Sequence, residues 1–496
     1  MTVSPTRTAA QPPSSDTRPA STTPRGGDRV ALRWQLAAAF VIWGTSLVVA
    51  VLWVSGGGVE GLLSFGSESL ASLGRLTGLV SANLLLYQVL LMARVPLFER
   101  GFGRSGIVRL HRVTGIWSFT LLMAHIALIV VAYALQDGAN LLAEAWDLTW
   151  NYPGMLLAVL SVIALILVMI TSARRARRRL RYESWHLLHL YGYLGVGLAI
   201  PHMLWTGADF VGNPVSTAYW WTLWSVTAGC VLLFRIAVPL WRSRRHALRV
   251  AEVTNDGTRG VTVRMTGRHL HRLGAQAGQH FVWRFLDGPG WTRGHPFSLS
   301  AAPTQDGLQI SARTVGDGTE RLARLAPGTP VLIEGPYGHL TGARRTSPRM
   351  LMLAAGAGVA PLVALLESER FQPGDAVLVT RDRDPRERMR GDAIQRLVSE
   401  RGLVHYALDG RRARVGSPWL PAEYAAWEGP ALLRRLAPGA TRFGVGSPQS
   451  LDCDVYLCGP PEWMNAVADD LRGAGFARTH IHTESFSNDQ QKGTRS

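Results

Sequence analysis

Six long apolar runs, at residues 34–54, 73–93, 107–133, 153–172, 184–205 and 218–241, constrain the fold more than any other feature of the chain. Each is close to the ~20 residues that carry a helix across a bilayer. A large soluble helical core is the rival reading. The charge-free stretch Met155–Thr171 argues against it, because a helix apolar on every face has no side left for water. The loops between the runs alternate in charge. Arg25, Arg29 and Arg33 precede the first run, and Arg94, Arg100, Arg104 and Arg109 lie between the second and third. Arg174, Arg175, Arg177, Arg178, Arg179 and Arg181 separate the fourth from the fifth, and Arg242, Arg244 and Arg245 follow the sixth. The remaining loops hold Glu60 and Glu68, then Asp137, Glu144 and Asp147, then Asp209. This alternation predicts a six-helix transmembrane bundle with both termini in the cytoplasm. Arg235, inside the last run, reads as a side chain snorkelling to the cytoplasmic interface.

Composition narrows the function. The formal charge is +17, yet Lys492 is the only lysine, so 51 of the 52 positive charges are arginines. That bias resembles a GC-rich coding sequence and gives no signature of nucleic-acid binding. Three cysteines, Cys230, Cys453 and Cys458, exclude a disulfide scaffold, a four-cysteine zinc site and a four-thiolate iron–sulfur cluster. Residues 1–29 read as a disordered Ser/Thr/Pro/Ala tail. The apolar run behind them is too long and too far in for a typical cleaved signal peptide. A polar tail closes the chain at 487–496.

Beyond residue 245 the pattern becomes soluble. Residues 246–345 alternate short apolar runs with Gly/Pro/Asp turns, as in a small β-barrel, and residues 346–486 alternate strand-like and helical stretches, as in a parallel α/β domain. The Gly/Pro/Arg-rich stretch 410–450 reads as an insertion.

Four histidines stand inside the apolar runs: His111 and His125 on the third, 14 residues apart, and His189 and His202 on the fifth, 13 apart. At ~1.5 Å per residue these separations are about 21 and 19.5 Å. Both helices start on the basic side, so His111 should share a depth with His189, and His125 with His202. Two histidines facing each other at one depth can hold an iron porphyrin through both axial positions. Ligands ~20 Å apart cannot share a zinc ion. The face geometry is imperfect. At about 100° per residue, 14 residues fall about 40° short of whole turns and 13 fall about 140° short. Gly192, Gly195, Gly197 and Pro201 can bend or rewind the fifth helix. His186 competes with His189 as a ligand.

The soluble half carries an ordered series of motifs. His295-Pro296-Phe297-Ser298 sets an aromatic and a hydroxyl where a flavin ring would lie; an ordinary strand is the plain alternative. Gly316-Asp317-Gly318-Thr319 opens a helical stretch, where amides can bind a pyrophosphate. Gly335-Pro336-Tyr337-Gly338 comes next, with a plain turn as the ordinary alternative. Gly356-Ala357-Gly358-Val359-Ala360-Pro361 joins an apolar strand to a helix, as dinucleotide loops do. Cys458-Gly459-Pro460 follows the last long strand, and Glu484-Ser485-Phe486 lies near the end.

Taken together, these features resemble a known combination. Residues 246–486 resemble the ferredoxin–NADP reductase superfamily, and the membrane half resembles the ferric reductase transmembrane domain. Their fusion is similar to NADPH oxidases and ferric-chelate reductases, particularly compact bacterial members. The resemblance implies a haem domain at 30–245, an FAD-binding β-barrel at 246–345 and an NAD(P)H-binding α/β domain at 346–486. It implies that Phe297 and Ser298 contact the flavin ring, with His295 and Pro296 at the start of the motif. Gly316 and Thr319 would bind flavin phosphates, and Gly335 and Tyr337 would belong to the same cofactor site. Gly356, Gly358 and Pro361 would line the NAD(P)H pyrophosphate site. Cys458, Gly459 and Pro460 would flank the nicotinamide, closed by Glu484 and Phe486. On this likeness Ser298, Cys458, Glu484 and Phe486 are the candidate catalytic residues. His111, His125, His189 and His202 would ligate two b-type haems. Many soluble relatives have Arg-x-Tyr-Ser where this chain has His295-Pro296-Phe297-Ser298, which is the membrane oxidases' version. No iron–sulfur module or calcium switch is expected.

The implied reaction takes hydride from NAD(P)H to FAD in the cytoplasm and sends single electrons across a bacterial cytoplasmic membrane. Dioxygen and a ferric chelate both fit as the outer acceptor. Donation to a partner protein or quinone is a second enzymatic reading, and a haem sensor or scaffold without turnover is the reading from another class. Arg381 and Arg383 follow the second strand of the nucleotide domain, where a 2′-phosphate would lie. They lean the donor towards NADPH, with solvated surface charge as the alternative.

Overall fold

The computed structural model describes residues 26–485 except 178, 181, 292, 315, 316 and 414. Gly316, Phe486 and the tail segments 1–25 and 487–496 lie outside the described residues. Six helices are long and apolar enough to cross a membrane: Leu32–Ser55, Ser67–Met92, Gly106–Asp137, Met155–Ser172, Ser184–Thr206 and Pro214–His246. Each overlaps one of the six apolar runs. Many large apolar side chains, Phe40 and Trp43 among them, point away from this bundle, while Trp220, Trp224, Ser72, Ser81, Ser118 and Ser161 are buried within it. Helices pack this way in hydrocarbon, where small residues and interhelical hydrogen bonds replace the hydrophobic effect. Ser81 Oγ donates to the Ser118 carbonyl at 2.7 Å, joining the second and third spans, and Ser161 Oγ donates to the Gly195 carbonyl at 2.6 Å, joining the fourth and fifth. The third span belongs to a longer helix, Pro96–Asp137, that breaks at Gly103, where φ is 63°. The sixth begins at Pro214 with the Asn213 side chain capping the Ser216 amide. It contains a π-helical segment, Leu232–Ala237.

The soluble half follows directly from the sixth span. Its first six strands are β1 (Arg249–Asn255), β2 (Gly260–Thr266), β3 (His280–Phe285), β4 (His295–Ser298), β5 (Gly307–Arg313) and β6 (Val331–Tyr337). The sequence predicts a β-barrel here. Among the described residues the strands form two three-stranded antiparallel sheets, β1-β2-β5 and β4-β3-β6, bridged at Leu299–Ile310 and Arg249–Pro330. The sheets share a core in which Val263, Phe281, Trp283, Leu299 and Ile310 are wholly buried. Burying one such side chain is worth roughly 1.5–3 kcal/mol.

Five further strands, β7 (Met350–Ala355), β8 (Ala376–Arg381), β9 (Val404–Ala407), β10 (Asp454–Gly459) and β11 (Ile481–Ser485), make one parallel sheet in the order β11-β10-β7-β8-β9. β7 and β10 are buried at every position because helices cover both faces. Helix Val359–Ser368 packs on one face and helix Pro461–Ala474 on the other. The predicted insertion contributes to this second core, where Trp419, Leu432, Leu433 and Leu436 are buried. From β7 the chain goes first to β8 on one side and later to β10 on the other. The carboxyl ends of β7 and β10 therefore flank a topological switch point, where such sheets form their ligand crevice.

Candidate functional site

Two sites emerge, one inside the membrane-spanning half and one in the soluble half. In the first, the third and fifth spans bring four histidines together as two pairs. The His111 and His189 ring centroids are 6.0 Å apart, and those of His125 and His202 are 6.2 Å apart. The imperfect angular spacing does not prevent either meeting; the fifth helix carries Pro201 in its interior. His186, the competitor, makes its ring contact with Trp185 at 6.5 Å, whereas Trp185 stacks on His189 at 5.0 Å.

The hydrogen bonds around the His125–His202 pair fix which ring nitrogen is available. His125 Nδ1 lies 2.8 Å from the Gly74 carbonyl, which only accepts, so Nδ1 carries the proton and Nε2 keeps a lone pair. His202 Nδ1 lies 3.4 Å from Thr206 Oγ1, whose own proton goes to the His202 carbonyl at 2.7 Å. That hydroxyl accepts from Nδ1, and again Nε2 is left free of a proton. At the other level His189 Nδ1 is 3.2 Å from Ser172 Oγ. Glycines make room for these rings. A Cβ on Gly78 would stand 2.7 Å from His125 Nδ1, and one on Gly154 would stand 2.8 Å from the backbone nitrogen of His202.

In the soluble half, His295-Pro296-Phe297-Ser298 is β4, as the motif suggested. The rings of His295 and Phe297 stack at 6.1 Å, and Trp283 Nε1 donates to the Phe297 carbonyl at 3.0 Å. Burial, helped by the Arg293 and Arg321 charges, holds the His295 imidazole down to about 4, so it is neutral at pH 7. Ser298 Oγ is buried without a hydrogen-bond partner among the described residues. Ser298 pairs across the sheet with His280, and His280 Nδ1 lies 3.1 Å from Glu484 Oε1. Glu484 in turn stands in register with Cys458 on the neighbouring parallel strand. Three separate elements thus bring Ser298, Glu484 and Cys458 to one locus. Burial, reinforced by the Glu484 carboxylate, pushes the Cys458 thiol well above its ordinary value. It is a neutral thiol, unsuited to nucleophilic chemistry.

Close approach explains the glycines of this crevice. A Cβ on Gly358 would stand 2.1 Å from the Cys458 carbonyl, and one on Gly338 would stand 2.6 Å from Glu484 Oε1. Gly356 adopts φ 55°, facing Arg313 Nη1. Gly335 precedes Pro336 through a cis bond, and Gly459 and Pro460 lead from β10 into helix Pro461–Ala474, which starts beside the crevice. Pro361 is buried in the first turn of helix Val359–Ser368. Thr319 lies in the short helix Asp317–Leu322, just after the undescribed Gly316. Arg381 is the last residue of β8, in keeping with its place in the sequence. Its guanidinium donates to the backbone carbonyls of Asp382, Gly410 and Trp419 at 2.5, 2.8 and 3.3 Å. Motif reading missed His280 and Arg313. Arg313 Nη2 donates to the buried Asp382 at 2.8 Å and ties the two soluble domains together. Its position just ahead of the Gly316 motif was the available signal.

Residues 77–200 match a family described as the ferric reductase like transmembrane component. Curated relatives include the reductase subunit of stachydrine N-demethylase from Rhizobium meliloti, 26% identical over 42% of this chain and 57% of that protein. Ferredoxin–NADP reductase B from Sorangium cellulosum is 28% identical over 42% of this chain and 85% of its own length. The chain thus spans little more than half of the first relative. A solved ferredoxin NADP+ reductase from Neisseria gonorrhoeae with bound FAD and NADP covers 49% of this chain and 98% of its own, at 20% identity and a TM-score of 0.39. The chain is thus similar to the ferric reductase like transmembrane component over residues 77–200, and to reductases such as ferredoxin–NADP reductase B over 42% of its length.

Proposed function

We propose that this protein is a membrane oxidoreductase carrying electrons from NAD(P)H, through FAD and two bis-histidine b-type haems, to an acceptor on the opposite face of the membrane. Its relatives support the enzyme class: they are reductases and reductase subunits, which makes it an NAD(P)H-dependent oxidoreductase. One observation carries the finer reading. Two histidine pairs, 6.0 and 6.2 Å between centroids, stand at two depths on the same two spans. Two metal–nitrogen bonds of ~2.0–2.1 Å, with the reach from each nitrogen to its ring centre, add up to about 6 Å. The residues therefore fit a porphyrin iron at each level, His111 with His189 and His125 with His202.

When bound, FAD would divide the donor's electron pair into the single electrons that haem iron can carry. The chain's own part is positional. Ser298 Oγ, buried and unpartnered among the described residues, would meet the flavin ring, with Phe297 packed beside it. The Gly356–Gly358 turn would let the NAD(P)H pyrophosphate approach the backbone, and Cys458 would line the nicotinamide site as an uncharged wall. His280 holds the Glu484 carboxylate at that site. The basic loops would face the cytoplasm, with flavin on that side and the His125–His202 level near the other.

Dioxygen, giving superoxide, and ferric chelates are the proposed acceptors. In proteoliposomes with the soluble half outward, NADPH or NADH is supplied outside and either oxygen or ferric citrate is enclosed. Reduction of the enclosed acceptor is expected, and the faster nucleotide identifies the donor. Nucleotide oxidation without any change inside the vesicle would defeat the transmembrane reading.

A further inference from the structure

We propose that Glu334 is a positioning residue, a buried carboxylate that fixes the flavin-binding module against the membrane helices and so sets the gap to the His111–His189 level. The inference deepens the function proposed above and rests on it. Glu334 lies on β6 with its side chain 4% exposed, and it gathers three guanidinium groups from three different elements. Arg94 Nε, just past the second span, is 3.4 Å from Oε1, and Arg235 Nη1, from the sixth span, is 3.1 Å from the same oxygen. Arg284 Nη1, on β3, is 3.4 Å from Oε2, and the Tyr337 hydroxyl donates to Oε1 at 3.3 Å. Arg94 and Arg235 belong to the membrane half, Arg284 and Glu334 to the soluble half.

The neighbouring residues repeat the attachment. Ser243 Oγ, at the end of the sixth span, accepts from the Ile333 amide at 2.9 Å and donates to its carbonyl at 3.3 Å. Arg242 donates to the Gly335 carbonyl, and the Arg94 guanidinium stacks over the Tyr337 ring at 4.2 Å. β6 is thus fastened to the membrane helices at 333, 334, 335 and 337, and two of these, Gly335 and Tyr337, are expected at the flavin. The backbone accommodates the contact: Arg94 adopts φ 66°, and Arg235 sits in the π-helical segment Leu232–Ala237. Such conformations concentrate where a side chain must be aimed.

Charge decides the asymmetry of the device. With Glu334 in place, one carboxylate, aided by Glu99 at 3.7 Å from Arg94, offsets the converging arginines. Without it, three guanidinium groups face one another around a buried position with no carboxylate between them, a worse state than the loss of one arginine. The experiment uses the full chain in nanodiscs with FAD, as wild type, Glu334→Gln, Arg94→Gln and the double variant Glu334→Gln/Arg235→Gln. Hydrogen exchange of the 331–337 amides should accelerate about ten-fold in Glu334→Gln, less in Arg94→Gln, and part of the protection should return in the double variant. NADPH-driven reduction of ferricyanide, which can meet the flavin directly, should stay within about two-fold, while reduction of the b-type absorbance slows about ten-fold. Unchanged exchange and delivery, equal loss of both activities, or a double variant worse than the single would overturn the proposal. Should Glu334→Gln fail to fold, Arg94→Gln carries the same test with a smaller shift. A wild type without b-type absorbance refutes the proposed function, while the exchange arm still decides the docking role of Glu334.

Discussion

The two halves of the chain differ in how much apolar surface they leave outside and how many hydroxyls they bury. In the membrane half Phe40 is 78% exposed and Trp43 75%, while Ser72 and Ser118 are wholly buried. In the five-stranded parallel sheet Leu351, Met352, Leu353 and Val455 are wholly buried. The difference follows from the solvent. Water drives apolar area inward, whereas hydrocarbon is indifferent to it and leaves packing to small residues and hydrogen bonds. Alongside buried Trp220 and Trp224, the bundle interior admits small hydroxyl residues and imidazoles held by backbone carbonyls and hydroxyls, as at His125 and His202. An interior filled with leucine leaves its functional groups to the crevice at the strand ends.

The contrast can be broken at several points. The largest effect is expected at the histidines. His125→Leu or His202→Leu should lower cross-membrane delivery by about 100-fold or more while flavin reduction by NAD(P)H continues. A variant retaining delivery would remove that pair from the path. Next come the cores. Leu353→Ala should cost the soluble half about 2–5 kcal/mol in denaturant unfolding, because it empties a wholly buried site. Leu194→Ala, 51% exposed on the fifth span, should cost the bundle less than about 1 kcal/mol. Equal losses would contradict the difference in burial.

A pH effect distinguishes the halves more finely. Burial, with the Arg388 charge adding to it, holds the His405 imidazole down to about 4 from its ordinary 6.5. The unfolded chain therefore binds the extra proton first. The stability linked to His405 is complete above about pH 6.5 and drains away as pH falls towards about 4. His405→Gln should flatten that limb of an acid-unfolding curve; an unchanged limb would assign it to other groups. The smallest effect is Ser161→Ala, which removes one interhelical hydrogen bond and should cost about 0.6 kcal/mol in bundle stability.

How far the sequence revealed this arrangement depended on the range of the interaction. The spans were legible because twenty apolar residues in a row mean nearly the same thing in any context. The run 184–205 corresponds to Ser184–Thr206, and 153–172 to Met155–Ser172. The meeting of His111 with His189 and of His125 with His202 was legible from depth alone, since helix rise is fixed. Helix rotation was not, because packing and Pro201 set it. The flavin motif was visible as a tetrapeptide on β4. The two-sheet arrangement around it depends on pairings between distant strands such as β2 and β5. Arg235 shows the limit most clearly. On its own span it reads as a snorkelling side chain, yet it meets Glu334, 99 residues away in sequence. The three carbonyls that hold the Arg381 guanidinium, those of Asp382, Gly410 and Trp419, were likewise not readable from its place in the sequence.

The most direct measurement is the absorption spectrum of the purified full-length protein, titrated anaerobically with NADPH. The account predicts about two b-type haems per chain, both reduced through the bound flavin, with one lost in His125→Leu. A protein that binds FAD and oxidises NADPH but carries no haem absorbance would contradict it, leaving the paired histidines as helix-packing residues.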